Sequence, residues 1–263
     1  MRIQGKVALI TGAAEGLGRA FAEELLKKGA KGVGIADVNV SKGKETAGLF
    51  LSKYGHKKAI FLQCDVTSEK QLEDAFRKTK EEYGRLDIVC NNAGIGDERK
   101  WRLMININLA AVVHGTYLAR KYMSKQNGGS GGLVVNIASM AGLILGPLSP
   151  VYTATKHGVV GFTRSMASFD AAFSKDDIRL NTICPSFSDT SIINKTAAPE
   201  FVDGNIMKQV AGTFKLLPVS QVAEGFMRLV EDDDLHDQVM RVTHERGIDF
   251  QRFKPNPPMP SKM

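Results

Sequence analysis

Lys6-Val-Ala-Leu-Ile10, followed by Thr11-Gly12-Ala13-Ala14-Glu15-Gly16-Leu17-Gly18, constrains the fold of this chain more than any other stretch. The apolar run reads as a buried strand. After the glycines comes a helical pattern with apolar Phe21, Ala22, Leu25 and Leu26, ending at Gly29. Glycines between a strand and a helix let the backbone approach a pyrophosphate, and the helix N-terminus adds N–H donors and partial positive charge. The spacing is Gly-x-x-x-Gly-x-Gly, not the commoner Gly-x-Gly-x-x-Gly. A glycine-rich turn without a ligand is the alternative reading.

The alternation continues without a break. Gly32-Val-Gly-Ile-Ala36 is a second strand with Asp37 at its end, and residues 41–53 are helical. Ala59-Ile-Phe-Leu62 leads to Asp65-Val66, then to a helix capped by Thr67 or Ser68 and running to about Tyr83. Leu86-Asp-Ile-Val-Cys90 precedes Asn91-Asn92-Ala93-Gly94. A long helix covers residues 103–123. Asn106 and Asn108 lie inside it, where asparagine is disfavoured, so a kink, a specific hydrogen bond or a solvent-facing side chain has to account for them. Further strands read at Leu133–Ile137, Ile178–Ile183 and Gln238–Val242, with a helix at Gln221–Val230. Such alternation predicts a single-domain α/β fold, a Rossmann-type doubly wound parallel sheet with helices on both faces. Ligands of such sheets sit at the carboxyl ends of the strands, where the glycine loop, Asp37, Asp65, Asn92 and Ser139 all fall. An acid at Asp37 accepts from ribose hydroxyls and repels a 2′-phosphate, which favours NAD over NADP; a turn or capping aspartate is the alternative.

Tyr152-Thr-Ala-Thr-Lys156 places a phenol and an ammonium on one helix face. At about 4 Å and an effective dielectric of about 20 their attraction is about 4 kcal/mol, enough to lower a phenol pKa by up to about 3 units. That would bring a general acid–base near neutral pH.

Composition excludes several classes. Among 263 residues, 43% are apolar and no apolar run reaches the length of a membrane span. The N-terminus enters a strand directly, with no signal-peptide core, so a cytoplasmic location is expected. Cys64, Cys90 and Cys184 are far apart and read as buried, reduced thiols; no metal is expected. The net charge of +7 comes from lysines and arginines interspersed with acids, not from a basic block, so nucleic acid is not an expected partner. Gly158 and Gly161 suit either a subunit contact or close packing within the core.

Thr11-Gly-x-x-x-Gly-x-Gly18, Asn91-Asn-Ala-Gly94, Ser139 and Tyr152-x-x-x-Lys156, in this order and spacing, resemble the short-chain dehydrogenases/reductases over nearly the whole chain. The resemblance implies a sheet of about seven strands. It makes Tyr152 the acid–base, Lys156 its partner and a ribose ligand, and Ser139 the donor to the reacting oxygen. It makes Asn108 the support of a relay water. It implies an NAD site built from Gly12, Glu15, Gly16, Leu17, Gly18, Asp37, Asp65, Val66, Asn92, Tyr152, Lys156, Ser188 and Thr190.

Within that family, Gly5-Lys-Val-Ala-Leu9, Gly18-Arg-Ala-Phe-Ala22, Tyr122-Met-Ser-Lys-Gln-Asn-Gly-Gly129, Lys156-His-Gly-x-Val-Gly-Phe-Thr-Arg164 and Glu231-Asp-Asp233 resemble the members that oxidise prostaglandins with NAD. This implies a hydrophobic hydroxy-lipid substrate whose allylic secondary alcohol becomes a ketone. It also implies a homodimer, and a substrate site touching Ser139, Ser149, Tyr152, Phe187 and Phe214. Departures from that branch are Leu148 and Ser149 in place of two glutamines, Ser186 in place of glycine, and Phe214 in place of tyrosine. Steroid, retinoid or hydroxy-fatty-acid oxidation, and an idle NAD-binding protein, are the rival readings. One domain is expected over residues 1–253, with a substrate lid at about 191–217 and a disordered tail at 254–263.

Overall fold

Burial along the strands alternates between two helical layers, and that alternation assembles the molecule. In β1 (Val7–Thr11), Val7 and Leu9 face one layer while Ala8 and Ile10 face the other. Val134 and its neighbours Leu133 and Val135 divide in the same way in β5 (Gly132–Ile137). Strands covered on both faces read as continuous apolar runs, as these do. The computed structural model describes residues 1–146, 148–168, 176–188 and 215–254.

The remaining strands are β2 (Gly32–Asp37), β3 (Ala59–Gln63), β4 (Ile88–Asn91), β6 (Ile178–Pro185), β7 (Val239–Thr243) and β8 (Gly247–Phe250). They form one sheet in the order β3-β2-β1-β4-β5-β6-β7-β8. The first seven in that order run parallel, as expected, and β8 adds an antiparallel edge. The sequence reading placed its last strand at β7; the four residues of β8 are too few for a periodic signal. β8 is held to β7 by Arg241, whose Nε donates to Asp249 Oδ1 at 2.8 Å.

Helices α1 (Gly16–Lys27), α2 (Val40–Tyr54) and α7 (Val219–Glu231) cover one face. Phe21 of α1 stacks on Phe226 of α7 with ring centroids 4.5 Å apart. On the other face lie α3 (Glu69–Tyr83), α5 (Ala111–Met123) and α6 (Pro150–Ser168). The expected long helix at 103–123 is instead α4 (Trp101–Ile105), a π-helical turn at Asn106–Ala110, and then α5. The chain reverses strand order between β1 and β4, so the loops after these strands diverge and leave a crevice.

A buried polar cluster locks β4 and β5 to α5 and α6. Asn91 Nδ2 donates to Asn136 Oδ1 at 2.8 Å, and Asn136 Nδ2 donates to Thr163 Oγ1 at 2.9 Å. Gly115 permits this approach, since a Cβ there would lie 2.2 Å from Asn91 Oδ1. Replacing Asn136 with alanine takes from the Asn91 amide its shorter acceptor and leaves only Thr116 Oγ1, at 3.4 Å, in a dry interior. Asn136→Ala is therefore expected to lower unfolding stability by about 2–4 kcal/mol, read as a reduced urea midpoint at unchanged m-value.

Candidate active site

The crevice is built from the glycine loop upward. Gly12 and Gly16 take φ of +64° and +59°, which side-chain-bearing residues rarely adopt. A Cβ on Gly18 would sit 2.5 Å from Gly12 O, so α1 begins hard against the loop. Asn92, at the end of β4, ties that loop down, its Nδ2 donating to Thr11 O at 2.8 Å and Gly12 O at 3.0 Å. Thr11 Oγ1 in turn accepts from Asn92 N and Ala93 N. The N-cap of α1, Glu15, makes no side-chain capping bond to the helix and instead pairs with Lys42. Glu15 thus does not cap the first N–H groups of α1, at Gly16, Leu17 and Gly18.

Asp37 ends β2 and takes the turn role. Its Oδ2 accepts from Ala14 N at 2.9 Å and its Oδ1 from Asn39 N at 2.8 Å, which shapes the turn. Each carboxylate oxygen keeps a second lone pair, and the residue is only half-buried. Val38 beside it is 68% exposed and offers an apolar flank. Asp65 accepts from the Thr67 backbone and hydroxyl at the end of β3, next to buried Val66.

Ser139 follows β5. Its Oγ lies 3.5 Å from Pro185 O and accepts from Ala141 N at 3.2 Å, which starts a short turn at Met140–Gly142. Gly142 lets that turn press on α6, because a Cβ there would be 2.6 Å from Lys156 O. Ser139 is thereby brought beside α6, close enough to Tyr152 to favour its phenolate. Lys156 is 3% exposed; its Nζ donates to Ile137 O at 2.9 Å and lies 5.6 Å from the Tyr152 ring centroid. Asn108 is fully buried in the π turn. Its Oδ1 accepts from Ile95 N and its Nδ2 donates to Ile95 O, both at 2.9 Å, and Nδ2 reaches Thr155 Oγ1 at 3.4 Å. This is the specific hydrogen bond that asparagine inside a helix called for, and the extra residue of a π turn is what turns the side chain inward.

The electrostatics differ from the sequence expectation in one respect. Burial pushes the Tyr152 phenol above its ordinary value, against a hydrogen bond from Ser139 that favours the phenolate. The same burial brings the Lys156 ammonium down to about 8. The expected attraction assumed two solvated charges. In this dry pocket the loss of hydration is the largest influence on each group.

Ser149 opens the turn into α6, its N donating to Gly146 O at 3.0 Å. Ser186 replaces glycine without strain, having no positive φ. Phe187 is 47% exposed, and Ser188 is buried with its hydroxyl donating to Ser186 O. Thr190 and Phe214 lie outside the described residues, as does all but the end of the expected lid. The segment at 255–263 is likewise outside them, so of the expected tail only Lys254 is described. Among the described residues, no helix is long and apolar enough to cross a membrane, and no group of three or more His, Cys, Asp or Glu could hold a metal ion.

One group that sequence reasoning missed is Glu98, buried beside the start of α6. Its Oε1 accepts from Tyr152 N at 2.8 Å and its Oε2 from Val151 N at 3.1 Å. No local pattern joins residues 54 positions apart, so only the fold reveals this contact.

A strand–glycine loop–helix cradle beside a serine, a tyrosine and a buried lysine defines a dehydrogenase of known type. Residues 6–200 match the short chain dehydrogenase family, and the chain belongs to it. It is 44% identical to 15-hydroxyprostaglandin dehydrogenase [NAD(+)] of Homo sapiens, covering 98% of each chain. The same enzyme of Mus musculus is also 44% identical over 98% of this chain and 97% of its own. Among solved structures, a short chain dehydrogenase/reductase from Burkholderia phymatum in complex with NAD superposes with a TM-score of 0.80 at 26% identity, covering 91% of this chain and 90% of that one.

Proposed function

We propose that this chain is an NAD-dependent dehydrogenase that oxidises a secondary alcohol on a hydrophobic lipid, the 15-hydroxyl of a prostaglandin, to the 15-keto product. The observation that carries this reading is the convergence of Ser139, Tyr152 and buried Lys156: the turn that starts at Ser139 presses on α6 at Lys156, whose Nζ lies 5.6 Å from the Tyr152 ring centroid. The relatives named as NAD-dependent 15-hydroxyprostaglandin dehydrogenases support the cofactor and the substrate.

The cradle of Gly12, Glu15, Gly16, Leu17 and Gly18 fits a pyrophosphate, and Asp37 fits the adenosine ribose. Asp65, Val66, Asn92, Ser188 and Thr190 complete the cofactor site. Bound NAD supplies the hydride acceptor and a positively charged ring. Tyr152, as phenolate, takes the proton of the substrate hydroxyl. Ser139 donates to the substrate oxygen and holds it in place as the carbonyl forms. Lys156 orders the ribose and offsets the phenolate charge, while Asn108 anchors the water through which the proton leaves. Ser149, Phe187 and Phe214 are the residues assigned to the substrate.

Beyond Ser139 the loop presents Ile144 and Leu145, 57% and 85% exposed, which suits an acyl chain at the mouth. Leu148 and Ser149 in that loop favour a second reading within the same chemistry, oxidation of a steroid, retinoid or hydroxy-fatty acid. A panel of these alcohols with NAD separates the two by kcat/KM, and prostaglandin is expected to lead.

Asp37 also sets a cofactor prediction. A like charge facing a 2′-phosphate costs several kcal/mol. The protein is expected to prefer NAD over NADP by at least about 100-fold in kcat/KM, and Asp37→Ala to narrow the ratio to within about tenfold.

We place the protein in the cytoplasm, consistent with three free, buried thiols, and assign it a homodimer. The α5/α6 face supports the latter. Tyr117, 51% exposed, meets Phe162 edge-on at 6.0 Å, and Trp101, Leu103 and Ile105 are exposed nearby in the chain.

A further inference from the structure

The geometry points to Glu98 as a positioning residue for Tyr152, and this rests on the reaction proposed above. Helix α6 begins with Pro150, which has no N–H. The first donors of the helix are therefore Val151 and Tyr152, and both are held by one carboxylate. A carboxylate at a helix N-terminus also meets the partial positive charge there. Glu98 is 5% exposed, so these bonds form in a dry setting where they define one geometry.

Tyr152 is the residue that bears the reacting oxygen, and its own backbone N–H is one of the two. The distance and direction of the phenol toward Ser139 follow from where α6 starts and how it is rotated about its axis. Glu98 fixes both at the first turn. Lys156 sits one turn further along the same helix and inherits the same registration.

Glu98 is itself held rigidly. It opens the 3-10 turn Glu98–Lys100, which Asp97 caps by accepting from Arg99 N at 3.2 Å. On one side, Ile95 is clamped by Asn108 at both its N–H and its carbonyl. On the other, the turn runs directly into α4 and the π turn that carries Asn108. The segment between β4 and α5 thus reaches α6 twice, once through Asn108 to Thr155 and once through Glu98 to Tyr152. Thr155 Oγ1, in α6 itself, donates to Tyr152 O at 2.7 Å, so the tyrosine backbone is held at its N–H by Glu98 and at its carbonyl by its own helix.

The test is steady-state kinetics of the full chain with NAD and a 15-hydroxyprostaglandin, comparing wild type, Glu98→Ala, Glu98→Gln, Tyr152→Phe and the double variant Glu98→Ala/Tyr152→Phe. A displacement of about 1 Å in a reacting group costs up to about 100-fold in rate. Glu98→Ala is expected to lower kcat by about 10- to 100-fold, with KM and the Kd for NAD within about threefold of wild type. Glu98→Gln keeps a carbonyl acceptor and is expected to recover most of that loss. Because Glu98 acts through Tyr152, the double variant is expected to be no slower than Tyr152→Phe alone. A Glu98→Ala enzyme that loses thermal stability but keeps the wild-type kcat overturns the role of Glu98 alone, as does a double variant slower than Tyr152→Phe by the full Glu98→Ala factor. A wild type without turnover on any alcohol of the panel overturns the reaction, and the role of Glu98 with it.

Discussion

Tyr152→Phe is expected to lower kcat for alcohol oxidation by about 100- to 10,000-fold while leaving the Kd for NAD within about threefold of wild type. The substitution removes one oxygen atom and keeps the ring, so the packing of α6 is undisturbed. What is lost is the group that accepts the substrate proton. The glycine cradle and Asp37, on β1, α1 and β2, are untouched. Stopped turnover with intact cofactor binding, measured by NADH formation and by titration of NAD, is the pattern expected. A loss of NAD affinity as large as the loss of kcat would contradict a role for Tyr152 chiefly in the chemical step.

Gly18→Ala is expected to act on the opposite half of the site. The new Cβ would meet Gly12 O at 2.5 Å, Asn92 Nδ2 at 2.7 Å and Ala13 Cα at 2.9 Å. Two of these are backbone atoms of the cradle, and the third belongs to the side chain that ties the cradle to β4. None can yield without moving the loop or the start of α1. NAD affinity is expected to fall by about 10- to 100-fold, equivalent to about 1.4–2.7 kcal/mol, in a calorimetric titration. Gly48→Ala is the control. Gly48 lies within α2, and among the described residues nothing stands within 4 Å of the added methyl. Alanine in a helix interior stabilises by about 0.5–1 kcal/mol, so this variant should bind NAD normally and melt slightly higher.

Much of this was legible in the sequence because it depends on local pattern. The apolar runs between glycine punctuation marked the parallel strands, and residues just past their ends, Asp37, Asn92 and Ser139, marked the crevice. Of the two candidate caps, Thr67 and Ser68, it is Ser68 that caps the helix, accepting from Gln71 N. That Tyr152 and Lys156 share one helix face followed from helical spacing. Features that depend on contact between distant segments were not legible. Nothing near Glu98 announces that it caps a helix 54 residues later. Asn108 could be singled out as unusual in a helix, but its partner Ile95 and the π turn appear only in three dimensions. Strand β8 is too short to carry a period. The direction of the Tyr152 shift depends on how dry the pocket is, and spacing contains no measure of that.

Hydride transfer itself is the central claim, and isotope tracing tests it most directly. Wild-type protein is mixed with NAD and a 15-hydroxyprostaglandin carrying deuterium at the carbinol carbon, and the products are analysed by mass spectrometry. The account predicts one 15-keto product for each NADH formed, with the deuterium on the reduced nicotinamide. NAD bound to the protein with no labelled NADH, from this substrate or any hydroxy-lipid of the panel, would contradict it and identify the chain as a binding protein without this chemistry.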